Sequence, residues 1–135
     1  MTKFEENHID VLQNIESGIV QVYRSNPQLL DADVEHALEG LIRAYQAEVR
    51  GRAAPVVRLS PPAQQVYETV KAVCDWRLGR EHLYDDAGRP VDVGLTPVSL
   101  EEIVACLKRI RKSVVLWTKE RGRRGYLSYI IQFIG

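Results

Sequence analysis

The sequence predicts an all-α protein: one bundle-like domain of five helices spanning residues 1–135, with a short β-hairpin or an irregular loop between the third and fourth helices. Three observations carry that expectation. Apolar residues recur at three- and four-residue steps along four long stretches, which is the period of an amphipathic helix. Those stretches are bounded by residues that start or stop helices for identifiable reasons. At 135 residues, 45% hydrophobic and 27% charged, the chain can bury a core without cross-links.

The first helix is expected over residues 2–24, with Phe4, Val11, Leu12, Ile15, Ile19, Val22 and Tyr23 on one face. Gly18 shares that face, where its use would be the close approach of a neighbouring helix. Asn26-Pro27 ends the helix, because proline donates no hydrogen bond and disfavours helical geometry in the residue before it. Asp31 opens the second helix as an acceptor for the free N–H groups of its first turn. Val34, Ala37, Leu38, Leu41, Tyr45 and Val49 form the buried stripe, and Gly51 is the stop. The short link predicts an antiparallel hairpin of helices one and two. In this reading Asp31, Glu35 and Glu39 lie on the exposed face of helix two.

Residues 53–59 read as an irregular connection. Ser60-Pro61-Pro62 then opens helix three, with serine as cap and proline where its missing N–H costs nothing. Ala63, Val66, Tyr67, Val70, Val73 and Cys74 face inward, and the helix fades at Leu78-Gly79. Residues 79–97 are the least helical part of the chain, with two short extended arms around Asp85-Asp86-Ala87-Gly88-Arg89. Ser99 and Glu102 are spaced as a capping box that opens helix four, followed by Leu100, Ile103, Leu107, Ile110, Val114 and Trp117 in register. After Gly122-Arg123-Arg124-Gly125, residues 126–134 are apolar nearly all round and read as a fifth helix.

Composition narrows the function classes. Eighteen cationic residues balance eighteen anionic ones, so no overall field draws the chain to nucleic acid. No apolar run approaches the roughly 20 residues of a membrane helix. Cys74 and Cys106 form no Cys-x-x-Cys pattern, and in a chain without a signal peptide they read as buried thiols of a cytoplasmic protein. His8, His36 and His82 lie apart, without a second ligand at metal spacing, and neighbouring carboxylates such as Glu101-Glu102 point about 100° apart on a helix. The sequence therefore implies no catalytic residues, no metal and no cofactor.

The neutral total conceals a split: residues 105–135 sum to +7 and residues 1–48 to −6. Solvated helix faces, the meeting of basic and acidic ends of two copies or of a protein partner, and phosphate binding are three readings of it. Lys119, Arg121, Arg123, Arg124 and Tyr126 are the candidate binding residues, on nucleic acid or a small anion. An all-round apolar terminal segment in a small domain also predicts an interface, with Tyr129, Ile131 and Phe133 covered by a second subunit in a homodimer. The expected function is a non-enzymatic interaction or regulatory module that self-associates, with phosphate or nucleic-acid binding as the alternative.

Overall fold

A computed structural model describes the backbone of residues 3–80, 84–90 and 97–120, and the side chains of residues 9–80, 84–90 and 97–114. Within them the chain forms four helices, α1 (Lys3–Ser25), α2 (Asp31–Val49), α3 (Pro61–Arg77) and α4 (Leu100–Glu120). The expected fifth helix lies outside the described residues. The all-α class holds among the described residues, and none of their helices is long and apolar enough to cross a membrane.

The local start and stop signals act as their chemistry requires. The Ser60 hydroxyl accepts from the Ala63 N–H at 3.2 Å, and the Ser99 hydroxyl accepts from the Glu102 N–H at 3.2 Å. Gly51 and Gly79 end α2 and α3 at φ +66° and +79°, values that side-chain-bearing residues reach only with strain. The start of α2 differs from expectation. Asp33, not Asp31, accepts from the Leu30 N–H at the helix start (3.0 Å), because Asp31 is turned inward and accepts from the Tyr23 hydroxyl. Asp31 is thus buried rather than part of an exposed acidic face. Between α3 and α4 the described residues show a single antiparallel bridge, Tyr84–Pro90, closed by Asp85, whose carboxylate accepts from the Ala87 and Arg89 N–H groups. The loop's ends meet where the Val98 N–H donates to the Arg77 carbonyl at 2.9 Å.

The helices pack as a four-membered ring in which α1 and α2 each contact both α3 and α4. The expected packing of α1 on α2 is therefore corrected: these two occupy a diagonal. The reason is visible in the partners of α3. Asn26 near the end of α1 meets Gln65, and Asn14 meets Arg77, so α1 and α3 are antiparallel. Asp33 meets Ser60 at the two starts of α2 and α3, and Glu48 meets Arg80 at the two ends, so α2 and α3 run parallel.

A parallel pair needs a connector as long as the helix. The 19 residues of α2 span about 28 Å, and residues 50–60, largely without regular structure, can cover about 33 Å when extended. What reads as an irregular connection is a strap running back along α2. It crosses the helix at Gly40, where an added Cβ would lie 3.3 Å from a Val57 methyl and 3.4 Å from the Tyr67 ring. Gly18 is different. A Cβ there would meet Thr69 and Val73 of α3 at an ordinary 3.6 Å, so space does not demand glycine. Gly18→Ala should stabilise the fold by about 0.5–1 kcal/mol through helix propensity, measured by urea denaturation, while a loss would show that the α1–α3 contact is tighter.

The core joins all four helices. Ile15, Ile19, Leu38, Leu41, Ile103 and Leu107 are among its largest fully buried side chains, and Cys74 and Cys106 lie within it. The division of charge along the sequence is partly spent inside the fold, since acidic α2 packs on basic α4 and Glu39 pairs with Arg111 at 3.3 Å.

Candidate functional site

Of the residues singled out from sequence, Arg121, Arg123, Arg124, Tyr126, Tyr129, Ile131 and Phe133 lie outside the described residues, as does the side chain of Lys119 at the end of α4. Cys74 and Cys106 are buried, and burial pushes both thiols up, that of Cys106 to about 12. They are protonated at neutral pH and lack the thiolate a nucleophile requires. His36 is exposed on α2, and no cluster of three potential metal ligands occurs among the described residues.

The structure brings together a different set. Leu41, Ala44, Tyr45 and Glu48 follow at helical steps on one face of α2, and Tyr67, Lys71 and Asp75 do so on one face of α3. Because the two helices run parallel, these faces meet near their C-terminal ends, and Arg52 and Ala54 of the strap and Arg80 after α3 complete the rim. They enclose a cleft of about 300 Å³. Two of the lining positions, Ala44 of α2 and Ala54 of the strap, carry only a methyl group, which leaves room between the larger side chains.

Polar contacts order the cleft's polar wall. Asp75 is only 4% exposed. One carboxylate oxygen accepts from the Tyr45 hydroxyl at 2.7 Å, and the other from Lys71 Nζ at 2.6 Å. A buried carboxylate is tolerable when its oxygens are hydrogen-bonded and a cation balances it. The Tyr45 phenol is held well above its ordinary range, first by burial and then by the negative charges that Cys74 and Asp75 would present. It stays a hydrogen-bond donor at any physiological pH. Arg80 grips Glu48 through both guanidinium nitrogens, and this hydrogen bonding holds its proton more firmly.

Arg52 differs from the other two cations, having no ion-pair partner among the described residues. The helix ends beside it make little claim on it. Backbone N–H groups of residues 50–52 and 78–80 donate to the last carbonyls of α2 and α3. Comparison of the chain with family models, with curated proteins and with solved structures finds no match. The geometry of the cleft is therefore what bears on function.

Proposed function

We propose that the chain is a non-enzymatic interaction or regulatory module that works by holding a small molecule in the α2–α3 cleft. The observation that supports this reading is a concave site of about 300 Å³ with apolar walls at Leu41, Ala44 and Ala54 and a few convergent polar groups whose geometry is fixed by one another. Those polar groups favour binding over chemistry. The phenol holds its proton and Asp75 is engaged through both oxygens, so the wall orients without supplying a base or nucleophile.

A screen of small polar molecules by thermal stability, run on the wild type and on Ala44→Phe, tests the reading. Compounds that stabilise the wild type should lose their effect when the phenyl group fills the cleft. Retention of every effect in Ala44→Phe would contradict it. The alternative from the sequence, phosphate or nucleic-acid binding by Lys119, Arg121, Arg123, Arg124 and Tyr126, is separated by the same comparison, because an oligonucleotide bound there should stabilise both proteins equally. Self-association through Tyr129, Ile131 and Phe133 belongs to the proposal as well, and would give a sedimentation mass near twice 15.4 kDa; a monomer mass at high concentration would remove it.

A further inference from the structure

The charge and size of the cleft say more about its ligand. Its lining carries three cations, Arg52, Lys71 and Arg80, against two carboxylates, Glu48 and Asp75. Both carboxylates are engaged, Asp75 by Lys71 and Glu48 by Arg80, which leaves Arg52 as the surplus charge. A guanidinium offers a planar fork of donors that suits a carboxylate or phosphate better than any other small group. The rest of the lining includes apolar surface from Leu41, Ala44, Ala54 and the Tyr67 ring. At about 300 Å³ the volume sits at the lower end for ligand sites, enough for one ring or short hydrocarbon body with one charged group and too little for a dinucleotide.

We propose that the α2–α3 cleft binds a small organic anion, a carboxylate or phosphate monoester with an apolar or aromatic body, whose charged group is taken by Arg52 at the rim while its body lies between Tyr67 and the alanines of α2 and the strap. This rests on the reading of the cleft as the binding site and adds the sign of the charge and the residue that selects it. The cation belongs to the strap and not to a helix. The parallel course of α2 and α3 forces the strap to start beside the two helix ends, and this start carries Arg52 to the mouth of the cleft.

Titration calorimetry with benzoate, phenyl phosphate, benzylamine, benzyl alcohol and inorganic phosphate tests the sign of the ligand. Benzoate or phenyl phosphate should bind more tightly than benzylamine and benzyl alcohol. Arg52→Ala should weaken the bound anion by about tenfold, Arg52→Lys should recover part of that loss, and Arg52→Glu should abolish binding. Arg52 is exposed at the protein surface, so these variants should keep the wild-type melting temperature and fold. Benzylamine or benzyl alcohol binding as well as benzoate, with Arg52→Glu without effect and Ala44→Phe abolishing it, would overturn the anion while leaving the cleft intact as a site. Anion binding that survives Ala44→Phe would overturn both, as would the absence of binding by all five probes. Inorganic phosphate binding as tightly as phenyl phosphate would overturn the proposed apolar body.

Discussion

Leu41→Ala should cost the fold about 2–5 kcal/mol, a drop in melting temperature on the order of 10 °C. Leu41 is 0% exposed, it belongs to the core shared by all four helices, and it also lines the α2–α3 cleft. Truncation removes transfer free energy and opens a void that rigid neighbours on α2 and α3 cannot fill. Both consequences are measurable in one variant. Denaturant unfolding should show a lower midpoint with an unchanged slope, and the wall of the binding site should retreat. A loss below about 1 kcal/mol would mean that the cleft collapses around alanine, and that its shape is not held by the helices.

Glu16→Gln should have the second largest effect and the opposite sign at neutral pH. Glu16 on α1 is 6% exposed, and its Oε2 has no hydrogen-bond partner among the described residues. Burial raises its carboxyl from 4.5 to about 7, against a smaller pull downward from Arg109 of α4. Between those two values the folded chain holds a proton that the unfolded chain has released. Its contribution is therefore fully present below about pH 4.5 and is lost as pH rises to about 7. Glutamine stays neutral throughout. The variant should be more stable than wild type above pH 7, by on the order of 1–3 kcal/mol, and should lack that part of the decline between pH 4.5 and 7. Parallel stability curves for the two proteins across that range would show that Glu16 ionises in the fold without penalty.

The helices were legible in the sequence because their determinants are local. Ser60 before two prolines, Ser99 before Glu102, and Gly51 and Gly79 past the ends act through bonds within a few residues. The arrangement of the helices was not legible. A short link between α1 and α2 suggested a packed hairpin, whereas the stripes of both helices are satisfied by α3 and α4. The strap was hidden for a related reason: residues 50–60 carry no periodic pattern, and their contacts with the bundle, such as Val57 against Gly40 and Leu59 against the core, are non-local.

The candidate site depends on that same arrangement. Tyr45 read as core, which is true of its ring, but a buried tyrosine hydroxyl generally finds a partner, and here the partner is 30 residues away. Asp75 follows a buried cysteine and would be taken for a surface residue by type; only its spacing of four from Lys71 hinted at a pair on one helix face. Arg52, adjacent to a helix-ending glycine, carried no signal at all until α2 and α3 were seen to run side by side. The charge split was the reverse case. It was plain in the sequence, yet part of it serves to join α2 and α4 within one chain through Glu39 and Arg111.

Amide chemical-shift mapping of the full chain during titration with benzoate or phenyl phosphate is the most direct measurement of whether the α2–α3 cleft is the working site. Saturable shifts should cluster at residues 41–54 and 67–80, from α2, the strap and the end of α3. Shifts confined to α4 and the residues that follow it, with the cleft silent, would contradict that assignment.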